Sequence, residues 1–254
     1  MKKLILLAVC CFVLVGTHAQ KYFFPEKAGT VLKYKNYDAD GNIATNMSWM
    51  TYTITDIREE NGNKVAYVAI DWEGKEDQMK EMPEGLDKLL EDFKIHFEKD
   101  RISNDFLKIT AQYLTQALKG MGTNEMDMDI ESTGDGIVYI PNTLEEGDEL
   151  PESDPFKLTL KVSLQGMSIS GDINIKITDR KVENKENVTT PAGTFDCIRL
   201  NEENEFSINM VMVNQSERIK SVSYLTPGIG IVKSETYHQD KLQNYLLLEE
   251  ISMQ

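Results

Sequence analysis

The residues whose types could do chemistry are few and scattered. Gly166-Met167-Ser168-Ile169-Ser170-Gly171 has the outline of a nucleophile elbow. That motif needs Gly two places after the serine, and residue 170 is Ser. The stretch also lies between two predicted strands, not at a strand-to-helix turn, so it reads as a hairpin loop. Cys197 shares a strand face with Phe195, which reads as a small buried hydrophobe and not a nucleophile. His96 falls on the polar face of a predicted strand, and His238 falls in a turn beside Gln239 and Asp240. Neither has a partner at motif spacing. No phosphate loop, dinucleotide fingerprint or zinc-ligand pattern is present.

Two patterns invite a metal. Asp38, Asp40 and Asn42 carry oxygen ligands for calcium, but the twelve-residue loop pattern is missing and a hairpin turn explains them. Met126 with Met128, and Met210 with Met212, offer thioethers to Cu(I). Their alternation places each pair on one strand face, as core Met would be. No metal and no cofactor is expected. Carboxylates are plentiful, yet Asp179, Glu183, Glu186, Glu203 and Glu205 all read as lying near polar turns. The set reads as a solvated acidic surface.

The elements that must position these residues are strands. Phe156, Leu158, Leu160, Val162 and Leu164 alternate with polar residues, as do Phe93, Ile95 and Phe97, then Ile173, Ile175 and Ile177, then Phe206, Ile208, Met210 and Met212. Period-2 alternation marks half-buried strands, and one wet face per strand suits antiparallel sheet. Asp40-Gly41-Asn42 and Asn61-Gly62-Asn63 punctuate the first third as hairpin turns, making it a meander of long strands. Two short helices are predicted. Leu86, Leu89, Leu90 and Phe93 follow i, i+3, i+4, i+7 spacing after Pro83. A second stripe runs from Phe106 to Leu118, capped by Asn104 or Asp105 and ended by Gly120. Ile137 to Pro141 returns to strand, and Thr143 to Pro155 is an acidic loop. The expectation is an all-β fold, mainly antiparallel. It is a large curved sheet, sandwich- or barrel-like, with one or two short helices.

The first nineteen residues read as an address. Lys2 and Lys3 precede an apolar run from Leu4 to Val15, and Thr17-His18-Ala19 gives a small-x-small exit before Gln20. That is a secretory signal peptide, with cleavage expected after Ala19. A lipoprotein signal is the rival, since Cys10 and Cys11 lie here. Val9 precedes Cys10 where a small residue is wanted, and apolar Phe12 to Val15 follow where a polar tether is wanted. No apolar stretch reaches the ~20 residues a membrane helix needs. The chain from 20 to 254 reads as a single β-rich domain, exported to the periplasm or cell surface. Losing Lys2 and Lys3 takes the formal net charge from −15 to −17. So acidic a balance excludes nucleic acid as a partner and disfavours anionic lipid surfaces. One Cys, Cys197, then remains, so no internal disulfide is expected.

Two passages are more distinctive than any site. Val188-Thr189-Thr190-Pro191-Ala192-Gly193-Thr194-Phe195-Asp196-Cys197 joins two strands through a Pro-Ala-Gly turn. Tyr224-Leu225-Thr226-Pro227-Gly228-Ile229-Gly230-Ile231-Val232-Lys233 is a second strand–turn–strand passage. With Ile140 to Leu150 and Tyr22 to Tyr34, they resemble an uncharacterised family of exported β-rich proteins from Bacteroidota and other Gram-negative bacteria. This is the TapB-like group, related to a larger periplasmic family built on a domain of unknown function. The resemblance covers nearly the whole mature chain and brings no catalytic motif. It implies a long, strongly curved antiparallel sheet, with the Leu86–Phe93 helix as additional length.

Three functions follow as expectations. The first is a non-enzymatic binding or envelope accessory protein, whose curved sheet encloses an apolar groove for a lipid, a hydrophobic peptide or a glycan. Aromatics not needed for the core would line it: Tyr22, Phe23, Phe24, Trp49 and Trp72. The second is a hydrolase of cell-wall or other polysaccharide, which needs two carboxylates converging in a cleft ~5–10 Å apart. The third is a structural subunit of an envelope assembly, which needs an exposed apolar patch or a bare sheet edge.

Overall fold

The computed structural model describes residues 22–45, 48–74, 93–104, 126–164, 167–210 and 213–253. The expected leader, residues 1–19, lies outside them. So do the two expected helices, apart from Phe93 at the end of the first, which directly precedes a strand. Among the described residues the fold is all β. In chain order the strands are β1 (Thr30–Asp38), β2 (Trp49–Glu60), β3 (Asn63–Trp72), β4 (Lys94–Phe97), β5 (Arg101–Asn104), β6 (Met126–Thr133) and β7 (Val138–Pro141). They continue with β8 (Phe156–Leu164), β9 (Met167–Thr190), β10 (Gly193–Met210), β11 (Val213–Thr226), β12 (Gly230–His238) and β13 (Lys241–Met253).

The predicted alternation forms these strands. In β1, Thr30, Leu32 and Tyr34 are buried while Lys33 faces solvent. In β8, Phe156, Leu158 and Leu160 are buried. The turns form where predicted. Asn61 and Gly62 both take positive φ, 53° and 81°, as a two-residue hairpin turn requires. Asp38 is a turn residue: its Oδ1 accepts from the Asp40 and Asn42 backbone amides at 3.0 and 2.8 Å. These amides, led by Asn42, hold the Asp38 carboxyl below the usual carboxylate range.

All thirteen strands join one sheet in the order β6-β8-β9-β10-β11-β12-β13-β1-β2-β3-β4-β5-β7. Neighbours pair antiparallel, and β13 docks on β1 from Thr30↔Met253 to Asp38↔Asn244. Strands β6 and β7 are the two edges and do not pair with one another, so the sheet curls without closing into a barrel.

The curl is visible in the core. One buried group unites Ile54, Val68, Ile70, Ile95, Phe97 and Ile102 of β2–β5 with Val182, Ile198, Leu200 and Leu225 of β9–β11. Strands far apart in the sheet order therefore face each other across a shared interior. Each large apolar side chain buried there contributes ~1.5–3 kcal/mol. A second group, on Leu32, Tyr34, Val222, Tyr224, Val232 and Leu248, lies beside it.

The Thr143–Pro155 segment is more than an acidic loop. It straps the β7 end of the sheet onto the middle of β9. Gly147 N donates to Val182 O, Val182 N to Asp148 O, Leu150 N to Arg180 O and Ser153 N to Ile177 O, at 2.8–2.9 Å. Leu144 and Leu150 drop into the core, and Arg180 Nη1 donates to Pro151 O at 2.9 Å. The strap's acids stay at the surface while Leu144, Leu150 and Ser153 turn in, which a charge count does not reveal.

Asp179, Glu183 and Glu186 lie within β9, and Glu203 and Glu205 within β10, not near turns. Both strands are long, 24 and 18 residues, and their wet faces carry polar runs that resemble turns. Irregularities touch three of them: Asp179, with φ 48°, lies opposite the register shift that Glu203 bounds, and Glu183 lies opposite the shift between Ile198 and Leu200.

Candidate functional site

The two core groups do not meet everywhere. Between them lies a cavity of about 160 Å³ on the concave side of the sheet. Its walls come from strands across most of the sheet order. Leu32 and Tyr34 belong to β1, Tyr52 to β2, Ile95 to β4, Ile102 to β5, Leu225 to β11, Ile231 to β12 and Leu246 to β13. Curling brings these side chains together. Ile231 is the exception to inward alternation: it is 36% exposed, beside the buried Val232, and sits at the cavity's rim.

The segment before β1 closes one side. Tyr22 O accepts from Gly228 N at 2.7 Å, and the Tyr22 hydroxyl donates to Glu98 O at 2.8 Å. The Tyr22 ring stands edge-on to Phe97 with centroids 4.9 Å apart. Phe23 is buried and Phe24 half-buried, and both face the cavity. Gly230 makes this fit possible. Its φ is +92°, and a Cβ there would lie 3.0 Å from Phe23 O.

Two tyrosines give the cavity its polar groups, with the Asn104 amide. Tyr34 donates its hydroxyl to Ile231 O at 2.8 Å, and its ring stands perpendicular to Tyr52 at 5.6 Å. Burial pushes the Tyr52 hydroxyl up to about 12, and burial with the nearby Tyr52 pushes Tyr34 further. Both remain protonated donors at neutral pH. The Tyr52 hydroxyl has no hydrogen-bond partner among the described residues. Among the described residues, no charged side chain lines the cavity.

The five aromatics singled out in the sequence separate in space. Phe23 and Phe24 line the cavity, and Tyr22 pins the segment that carries them. Trp72 is a core residue of β3, 9% exposed. Trp49, at the start of β2, is 38% exposed and lies away from the cavity walls. Tyr34, Tyr52, Ile231 and Leu246 went unmarked in the sequence, because alternation assigns such residues to a filled core. The Pro227-Gly228-Ile229-Gly230 turn was the one legible sign, since its glycines let the backbone approach Phe23.

Elsewhere the carboxylates are ordered for structure. Among the described residues, those whose pKa is displaced, Asp38, Asp56, Glu73, Asp172 and Glu235, are all displaced downward. A glycosidase-type general acid needs the opposite displacement. Among the described residues no three His, Cys, Asp or Glu side chains converge as metal ligands.

Residues 27–248 match the DUF3108-like family. The chain belongs to the DUF3108-like family. Two solved structures share the fold of this DUF3108-like chain. One is a candidate lipoprotein from Parabacteroides distasonis ATCC 8503, 21% identical with TM-score 0.56, covering 91% of this chain and 99% of its own. The other is a candidate exported protein with a YmcC-like fold from Bacteroides fragilis NCTC 9343, 22% identical with TM-score 0.53 and the same coverage. No curated protein matches. Among the described residues of this DUF3108-like protein, no helix is long and apolar enough to cross a membrane.

Proposed function

We propose that this DUF3108-like protein is an exported envelope protein that works by binding, holding a small apolar ligand on the concave side of its sheet. One observation carries the reading: the apolar cavity where the two core groups fail to meet. A glycan would need many hydrogen-bonding groups, and the described residues of these walls offer three polar side chains. A whole lipid would need more room than about 160 Å³. An apolar cavity of ~150 Å³ takes a benzene-sized guest, so the occupant is a six-carbon-scale apolar group. Phe23 and Phe24 form part of its binding wall. The export reading rests on the leader expected before Gln20 and on the names borne by the two structural relatives.

The test is a titration of the purified chain with benzene, followed by NMR shifts and thermal unfolding. Binding should perturb Ile102 and Leu246 methyls and raise Tm. Leu246→Trp, which fills the space, should abolish both effects while the protein stays folded. Benzene binding that survives Leu246→Trp, or no benzene binding at all, overturns the reading.

A further inference from the structure

We propose that the free edge of β11 over Val213–Arg218 docks an extended peptide of alternating apolar and cationic side chains, added to the sheet as one more strand. This edge is a step inside the sheet, apart from the outer edges at β6 and β7. Strand β11 pairs with β10 along nearly its whole length, from Met210↔Val213 to Ile198↔Leu225. On its other side β12 joins only from Ile219↔His238 onward. Gln239 and Asp240, with φ 49° and 60°, then turn the chain back into β13. Val213–Arg218 is thus unpaired on that side among the described strands. Alternate residues of a strand direct their N–H and C=O to opposite neighbours, so half of these groups face outward with no described strand to meet them. Asn214 to Arg218 are all exposed.

The step has a hollow on each face. Directly opposed residues share a face, so Phe206 lies with Glu217 and Ile208 with Gln215. They border a hollow of about 290 Å³, with Phe206 and Ile208 as its apolar part. The other face carries the row Glu203, Lys220 and Tyr237. With Arg218 and Asp240, this row borders a hollow of about 430 Å³. Arg218 Nη2 is held by Glu205 Oε1 at 2.6 Å, and Glu217 Oε1 lies 3.2 Å from His238 Nδ1. Among the described charges there, Glu203 and Asp240 then stand against Lys220 alone, in a chain of net charge −15. A strand laid along the edge sends successive side chains to opposite faces. Its apolar residues meet Phe206 and Ile208, and its cations meet the acidic hollow. A second copy of the chain fits less well. It brings the same negative charge, and a short polar edge discourages edge-to-edge pairing.

The probe is the acetylated, amidated hexapeptide Val-Lys-Val-Lys-Val-Lys, titrated into the purified chain at low salt and followed by NMR and hydrogen exchange. Amides of residues 214–218 should shift, and those directed outward should exchange more slowly. Two variants of the peptide carry N-methyl groups on every Val or on every Lys. Only one of these sets of amides faces the edge. One variant should therefore lose at least about tenfold in affinity, and the other less than about threefold. Replacing each Lys of the peptide by Glu should weaken binding about tenfold at low salt. No binding at millimolar peptide, equal losses from the two N-methyl patterns, or a Glu peptide as tight as the Lys peptide overturns the proposal. So does slow exchange at 214–218 before any peptide is added, in a chain that native mass spectrometry finds dimeric.

Discussion

Arg180 Nε and Glu202 Oε1 meet at 2.7 Å across β9 and β10, with the arginine side chain wholly out of solvent. Arg180 also holds the strap through Pro151 O. The pair therefore joins two strands and the crossing segment at one point.

Removing one partner leaves the other as a buried, unmatched charge, which typically costs 3–5 kcal/mol. Glu202→Ala should lower stability by about 3 kcal/mol, slightly reduced because Glu202 keeps some solvent contact. Arg180→Met with Glu202→Leu should cost less than the sum of the single changes. Urea unfolding of the three variants measures both, and strict additivity would contradict the coupling.

Gly230 should not tolerate a side chain. A Cβ would meet Phe23 O at 3.0 Å, and φ +92° is unfavourable to any L residue. Gly230→Ala should destabilise by about 1–3 kcal/mol. Gly62→Ala is the control, because φ is +81° there but a Cβ meets open space. It should cost about 1 kcal/mol. Equal losses in thermal unfolding would remove the steric part of this account.

The contrast between these two glycines shows what was legible in the sequence. The Asn61-Gly62 turn is local, and two residues suffice to predict it. The meander, the alternating strands and the buried Cys197 are equally local, so periodicity reads them. The strap is not. Its partners on β9 lie some thirty positions away, 29 for Arg180 and Pro151, and its acids conceal its inward leucines. The cavity is less legible still. Tyr34 and Tyr52 look like any inward strand residue until curling sets them against Ile231 and Leu246. Phe23 and Phe24 are legible only as aromatics not needed for the strand cores, a reading that fits Trp72 poorly, since Trp72 is core.

Acid should destabilise the fold through Glu235. Burial alone would raise its pKa. The Lys233 ammonium at 2.6 Å and the Tyr237 hydroxyl at 2.9 Å outweigh burial and hold it below its ordinary value of 4.5. A folded pKa below the unfolded one adds stability that is present above pH 4.5 and is lost as pH falls through the folded pKa. Glu235→Gln should lower stability at pH 7 and flatten part of the fall below pH 4.5. Denaturant midpoints from pH 3 to 8 record the difference. An unchanged slope would exclude Glu235 as a contributor.

Cys197 should be a slow reporter of opening. It is 2% exposed, and burial, with the Asp196 and Glu186 charges adding to it, pushes its thiol up to about 11. At pH 8 roughly a thousandth is thiolate, a factor of ten per unit. Labelling by a disulfide reagent should therefore be far slower than for a free thiol and should accelerate sharply in urea. Immediate labelling of the native chain would contradict the burial.

The pairing of β1 with β13 governs when the fold can be completed. Lys33 and Glu250 bond across that seam although 217 positions separate them. Strand β1 lies inside the sheet, so its second edge stays bare until β13 has been synthesised. Contacts of such long range are slow to form, because loop closure must precede any gain from pairing. A ribosome-bound chain lacking β13 cannot finish its central seam, and the polypeptide stays threadable until that strand emerges.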